Sequence, residues 1–272
     1  MKNIFILITL VLTASSIAQN RMTPELLWDL KRVSGIQVSP DYKKVLFSQK
    51  TYDLSTNESK SSFYLVNVST KLTSVIPNID GKAWNAQWRP DGKKIGFLMR
   101  DDIGINVYEI NVDGTGLKRI SNLDFKVSEF KYAPDGKRLM FTKDVKLEKH
   151  TSREFETDLV RSNARVYDDL MYRHWSDYNE GYFTHIFFSV IDNGSLAGTG
   201  IDIMKDEKYD APMKPFGGLE QATFSPDGAE IAYTSKKLSG KKYAISTNSD
   251  IYVYNTNTLQ TVNVSKGMMG YD

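Results

Sequence analysis

Residues 83–99 read Ala83-Trp-Asn-Ala-Gln-Trp-Arg-Pro-Asp-Gly-Lys-Lys-Ile-Gly-Phe-Leu-Met99, and this stretch decides the fold. Its first half places Trp84, Ala86 and Trp88 at every second position, the period of a half-buried strand. Pro90-Asp91-Gly92 then makes a tight reversal, because proline presets φ and glycine tolerates the positive φ that follows. A second strand, residues 94–99, returns. The same pattern stands at three other places: Ser39-Pro40-Asp41-Tyr42 before VLFSQK, Ala133-Pro134-Asp135-Gly136 before LMFTKD, and Ser225-Pro226-Asp227-Gly228 before IAYTSK. The prolines lie 50, 44 and 92 residues apart, the last interval being close to two repeats. A period in the mid-forties is the length of one four-stranded propeller blade.

Third strands rich in aromatic and β-branched residues follow at 63–68, 105–112, 185–191 and 251–254. Weaker fourth strands read at 72–76, 117–120 and 259–264. From Tyr64 to Pro90 is 26 residues, and from Tyr108 to Pro134 is again 26. One such sheet cannot bury both its faces, so each must lie against its neighbours. The expected fold is therefore all-β: a β-propeller of four-stranded antiparallel blades, about four present and the ring incomplete. The blades fall near 31–77, 82–122, 126–215 and 218–266. No amphipathic helix separates the strands, which excludes an α/β layout.

The period breaks in the third blade. Phe141 to Phe187 spans 46 residues, where Phe97 to Tyr108 spans 11 and Tyr233 to Tyr252 spans 19. Phe187 to Pro226 is 39 residues where 26 would be regular. An inserted loop or helical segment over 145–183 accounts for the first excess; a degenerate extra blade between 145 and 215 is the alternative. A helix over 167–182 would line up Tyr167, Met171, Trp175, Tyr178 and Tyr182 on one face. Such a face would lie against the blade rim, or serve binding, since long insertions in a regular repeat often sit on the binding face. The glycine-rich stretch 194–200 lacks the lysine and strand–loop–helix context of a phosphate loop and reads as a flexible turn.

Charge is balanced, with 35 basic against 33 acidic residues, and no basic run argues for nucleic acid. Hydrophobic content of 40%, with 12% aromatic, suits a globular β protein. Lys2, the apolar core IFILITLVL at 4–12 and the small residues Ser16 and Ala18 form a secretory signal peptide over 1–18, cleaved after Ala18. The apolar stretch is too short to span a membrane, so no membrane contact is expected once the signal is removed. With no cysteine in the chain, disulfides and a lipid-anchored cysteine are excluded. Export without disulfides points to a periplasmic location.

Chemistry-bearing patterns are few. No G-x-S-x-G nucleophile elbow occurs. The three histidines, His150, His174 and His185, have no metal-pair spacing, and no metal or cofactor is implied. His174 between Arg173 and Trp175 is either a proton shuttle or a ring with its hydrogen bonds satisfied. The turn aspartates Asp41, Asp91, Asp135 and Asp227 are expected to accept backbone N–H bonds. The candidate substrate-binding residues are Asp168, Asp169, Tyr172, His174, Trp175 and Glu180, all within the insertion. A carboxylate pair such as Asp168-Asp169, or the cluster Asp177/Glu180, could hold an ammonium group in a partly dry cavity.

Met22-Thr-Pro-Glu-Leu-Leu-Trp-Asp-Leu-Lys-Arg-Val-Ser34 resembles the mature start of secreted prolyl oligopeptidase family serine peptidases. VYDDLMYRHW, residues 166–175, is similar to the matching segment of their dipeptidyl peptidase V and acylaminoacyl-peptidase branch. The resemblance covers the chain after the signal, residues 19–272. It implies a propeller that limits access to a carboxy-terminal α/β-hydrolase domain with a Ser-Asp-His triad and helps bind the amino terminus of a peptide substrate. No triad position can be assigned here, so no catalytic residue is expected and the chain alone is expected to be inactive. The catalytic domain is missing, and the sequence ends where a next Pro-Asp-Gly turn would soon fall, as in an amino-terminal fragment. A non-catalytic periplasmic scaffold of the TolB type shares the turn repeats and is the competing reading.

Overall fold

A computed structural model describes residues 22–79, 82–123 and 127–267; the expected signal peptide lies outside them. Helix α1 (Pro24–Asp29) leads in, with Thr23 Oγ1 accepting from Leu26 N at 3.1 Å. The first blade is β1 (Arg32–Val38), β2 (Lys44–Asp53), β3 (Glu58–Asn67) and β4 (Thr73–Val75). The second is β5 (Ala83–Trp88), β6 (Lys94–Asp101), β7 (Gly104–Asn111) and β8 (Lys118–Arg119). The third opens with β9 (Phe130–Tyr132) and β10 (Arg138–Lys146). Its insertion carries helix α2 (Ser152–Phe155) and a small hairpin, β11 (Arg173–His174) with β12 (Asp177–Tyr178). The sheet resumes at β13 (Tyr182–Asp192), whose outer edge is shared by β14 (Ser195–Leu196) and β15 (Ile201–Asp202). The fourth blade is β16 (Ala222–Phe224), β17 (Glu230–Ser235) and, after helix α3 (Gly240–Ile245), β18 (Asp250–Asn255) and β19 (Gln260–Asn263).

The chain is a β-propeller of four antiparallel meanders, each with strands in sequence order from the first inward strand to the outer edge. No fifth four-stranded sheet lies between 145 and 215 among the described residues, so the third blade is enlarged and no extra blade is hidden there.

The four turns are built alike. Asp41, Asp91, Asp135 and Asp227 each accept, through Oδ1, the backbone N–H two residues on, at 3.1, 2.9, 2.8 and 3.0 Å. The fourth residue of each turn donates its N–H back to the first residue's carbonyl and takes a positive φ of 60–70°. Glycine fills that place in three turns; in the first, Tyr42 occupies it at φ 60°. Ser39 and Ser225 add hydroxyl bonds to Asp41 and Asp227 that hold both carboxyls below their ordinary values.

Three hydrophobic layers join the four blades in series. Leu46, Phe63 and Leu65 of the first blade meet Trp88, Ile95 and Phe97 of the second. Leu98, Ile105 and Val107 meet Phe130, Leu139 and Phe141 of the third, and Met140, Ile186 and Phe188 meet Phe224, Ile231 and Tyr233 of the fourth. Each such side chain taken from water contributes roughly 1.5–3 kcal/mol. One feature repeats in every blade: a cross-strand aromatic pair between the second and third strands. Phe47/Tyr64, Phe97/Tyr108, Phe141/Phe187 and Tyr233/Tyr252 sit directly opposite in register. Their rings are stacked, with centroids 5.3, 6.1, 5.8 and 5.5 Å apart.

A polar ladder runs along the innermost strands. Three residues before the turn proline, Gln37 donates to Ala86 O at 2.8 Å, Gln87 to Phe130 O at 2.5 Å, and Lys131 to Ala222 O at 2.8 Å. Every acceptor is four residues before the next blade's proline, so the same donor–acceptor offset recurs at all three joints. On the turn side, a Cβ at Gly92 would stand 3.6 Å from Pro40, and one at Gly136 4.0 Å from Pro90. The turns of successive blades are thus stacked.

One reading needs correction. The strict alternation Trp84, Ala86, Trp88 is broken by a bulge between Trp84 and Gln87, where Asn85 takes φ 54°. Ala83, Ala86 and Trp88 therefore face the first blade, while Trp84 packs toward the third. The stretch 194–200 begins in a tight turn: Asn193 and Gly194, both at positive φ, close a hairpin in which Asp192 pairs with Ser195.

Candidate functional site

The insertion leaves the third blade where Leu147 N donates to Gly181 O at 2.9 Å, closing its neck. Gly181 has φ +80°, and a Cβ there would come within 2.1 Å of Glu148 O, so only glycine fits this crossing. Helix α2 is a single turn fixed by Glu154. Its Oε2 accepts from His150 N, Thr151 N and Thr151 Oγ1 at 3.1, 2.9 and 2.8 Å, and its Oε1 pairs with Lys146 Nζ at 2.7 Å. The Lys146 contact, followed by the Thr151 N–H, brings its carboxyl down to about 2. Thr151-x-x-Glu154 is a capping-box pattern, a signal from which this turn could have been expected although the reading of the sequence passed over it.

Of the two forms open to the insertion, loop or helix, residues 167–182 take no helix. Residues 173–178 make the β11–β12 hairpin, and Trp175 takes φ 48°, a left-handed conformation that a helix cannot hold. The aromatic spacing serves ring contacts instead. Tyr167 packs on His150, Tyr172 and Tyr178, with centroids 4.8, 5.6 and 6.4 Å away, and its hydroxyl donates to Asn179 O at 2.8 Å. Arg165 lies over Tyr178 at 4.9 Å and pairs with Glu180 Oε1 at 2.5 Å.

The six candidate residues divide into two groups. Tyr172, His174, Trp175 and Glu180 belong to, or directly adjoin, the aromatic cluster and the hairpin. Asp168 and Asp169 are exposed, and Asp169 accepts only from its neighbour Leu170 N and lies beside Gly240 of α3. Both carboxylates remain exposed, so they line no dry cavity. Glu180 is already neutralised by Arg165. His174 also departs from the satisfied-ring reading: its Nε2 is buried without a hydrogen-bond partner, and its ring rests on Trp175 at 4.7 Å.

Trp175 reaches out of the insertion to Phe216, edge to face at 5.4 Å. Both rings remain open to solvent, 67% and 79% exposed. Phe216 was not singled out from the sequence, since it follows Pro215 in an irregular link with no period to read. The other histidines are structural. His150 bridges Val166 O and Glu148 Oε2, both at 3.0 Å. His185 is fully buried between Asp202 Oδ2 at 2.9 Å and Glu207 O at 2.8 Å. A groove of about 770 Å³ between the first two blades, near Lys44, Lys93 and Asp113, and a smaller one of about 360 Å³ beside Trp84, Gln87 and Glu129 both lie away from the insertion.

No protein-family model matches the chain. Over 251 residues it is 38% identical to dipeptidyl-peptidase 5 of Porphyromonas gingivalis, a match covering 92% of this chain and 36% of that protein. The chain is a relative of dipeptidyl-peptidase 5. The dipeptidyl-peptidase 5 of Porphyromonas endodontalis is 33% identical over 260 residues, covering 96% of this chain and 37% of the relative. The chain spans about a third of the length of these curated relatives. Among solved structures, acylaminoacyl peptidase of Pyrococcus horikoshii superposes with a TM-score of 0.59 at 12% identity, covering 88% of this chain and 33% of its own. That superposition concerns the blade architecture alone. The match to dipeptidyl-peptidase 5 extends over nearly the whole described chain.

Proposed function

We propose that this chain is the propeller part of an exported serine peptidase of the dipeptidyl-peptidase type, gating peptide access to an α/β-hydrolase domain that carries the nucleophile. The observation that carries the reading is the 38% identity to dipeptidyl-peptidase 5 across 92% of the chain. The same proposal takes residues 1–18 as a cleaved secretory signal, supported by Lys2, the apolar core at 4–12 and the small residues Ser16 and Ala18, with the periplasm as destination.

The insertion is the part we assign to the substrate. Trp175 and Phe216 offer two open aromatic faces to an apolar or cationic group of a peptide. Buried His174 Nε2 supplies an unused polar atom next to them. A peptide ammonium approaching this loop meets the partly buried carboxylate of Glu180 by exchanging with Arg165. Asp168 and Asp169 then act at longer range, as exposed charges that draw the amino terminus in.

The purified chain is expected to release no product from dipeptidyl p-nitroanilides. Hydrolysis by it that a serine-directed inhibitor abolishes would contradict a purely gating role. Grafted in place of the matching segment of the P. gingivalis protein, residues 22–267 are expected to preserve dipeptidyl hydrolysis. In that graft Trp175→Ala raises KM about fivefold or more with a smaller change in kcat, the pattern of lost ground-state binding. A folded graft whose KM ignores Trp175 removes the insertion from the substrate path.

A further inference from the structure

We propose that His150 is a proton-operated latch on the insertion, its doubly protonated ring tying together the two segments that carry the aromatic cluster. The ring stands between two oxygens. Nδ1 lies 3.0 Å from the backbone carbonyl of Val166, and Nε2 lies 3.0 Å from Glu148 Oε2. A carbonyl oxygen has no proton to give. Nor does Glu148: burial opposes ionisation of its carboxyl, but the bonds from Lys208 and His150 outweigh that and hold it below its ordinary value. Both ring nitrogens must therefore donate, and only the imidazolium carries two N–H groups. A neutral ring keeps one bond and turns a bare lone pair toward the other oxygen.

The ring sits where it can set the form of the insertion. Residues 150–152 run beside 164–166: Val166 N donates to His150 O and Ser152 N to Ala164 O, both at 2.9 Å, with Thr151 and Arg165 bridged between them. Tyr167, next in the chain, lays its ring 4.8 Å from that of His150 and gathers Tyr172 and Tyr178 of the hairpin region. An aromatic face of this kind favours a cation beside it. The charged groups around the ring are paired. Lys208 meets Glu148 Oε1 at 3.2 Å, Glu154 accepts from the His150 backbone N–H and pairs with Lys146, and Arg165 on the facing segment goes to Glu180. Burial pushes the Tyr167 hydroxyl up, so it stays neutral. Among these side-chain types only histidine changes charge between about pH 5 and 8. A ring that the fold needs charged gives stability that is present in acid and lost as pH rises through its titration. Resting on the insertion's role in substrate binding, the same proton sets how firmly Trp175 is presented, and His150 is a positioning residue.

The chain has three histidines, so nuclear magnetic resonance of ring-labelled histidine in the purified chain reads each ring, with His150→Gln identifying the signals of His150. Both of its nitrogens are expected to carry protons at about pH 5.5, and one to be bare by about pH 8. Over the same interval, hydrogen-exchange protection at the amides of Ser152 and Val166, corrected for the intrinsic pH dependence of exchange, is expected to fall roughly tenfold or more, the weight of one charge-assisted bond. His150→Gln is expected to show the low protection throughout, with the blade amides unchanged. A bare nitrogen at the acid end, protection that ignores the ring's titration, or a variant that keeps the wild-type pH dependence overturns the latch. The link to substrate is tested separately in the graft, where the ratio of KM in His150→Gln to that in the parent cancels the titration of the catalytic groups. That ratio is expected to be several-fold in acid and to approach one as the ring loses its proton. A flat ratio beside a working latch overturns the insertion's role in substrate binding and leaves the latch standing.

Discussion

Glu154 ties three pieces of the insertion together: the end of β10 through Lys146, the backbone at His150 and Thr151, and its own helical turn. Its carboxyl falls from the ordinary 4.5 to about 2 on folding, so the ionised form is the one the fold prefers. A lowered folded value gives stability that is complete above about pH 4.5 and is lost as pH falls toward 2. Hydrogen exchange at residues 148–156 should therefore accelerate between those values, ahead of the blades. Glu154→Gln should show the fast exchange already at neutral pH, with little further change in acid. Gly181→Ala is expected to cost about 1–3 kcal/mol in thermal or urea unfolding, since both its φ and the Glu148 carbonyl oppose a side chain. None of this was readable from residue types alone, except the Thr151-x-x-Glu154 spacing. The partner of Glu180 and the orphaned His174 nitrogen depend on how the loop closes, which a single sequence does not encode locally.

At the scale of elements, the stacked cross-strand pairs measure how much of each blade is covered. Phe97 is fully buried at a joint and Phe47 is not, although both make the same ring contact. Phe97→Ala should cost ~3–5 kcal/mol, the usual range for a buried ring, and Phe47→Ala distinctly less, in urea unfolding at constant m. Equal losses would mean that the first blade's face is covered too. The strand pairs and turns were legible because proline, aspartate and glycine act on their own backbone within a few residues. Bulges were not: Gly35 and Asn85 occupy the same repeat position with positive φ, but asparagine carries no unmistakable signal for it. The insertion misled for a related reason. Tyr167, Met171, Trp175, Tyr178 and Tyr182 recur at helical spacing, yet Tyr167 gains more by gathering His150, Tyr172 and Tyr178 around it than a solvent-facing helix would provide.

Across the whole molecule, stability comes from faces shared between blades, so the repeat pattern carries architectural information that no single blade holds. The donor–acceptor offset from Gln37 to Ala86, repeated at Gln87 and Lys131, fixes each blade against the next at the inner strands, and the stacked turns do so on the turn side. A cross-link between two turns tests this serial stacking most directly, in a chain with no native cysteine. In Pro40→Cys/Gly92→Cys the two Cβ atoms would stand 3.9 Å apart, inside the roughly 3.5–4.5 Å that a disulfide spans. Mild oxidation should consume both thiols within one chain, visible as a faster-migrating single band on a non-reducing denaturing gel. Two free thiols after oxidation, or cross-links only between chains, would contradict the account of blades packed in sequence with their turns in register.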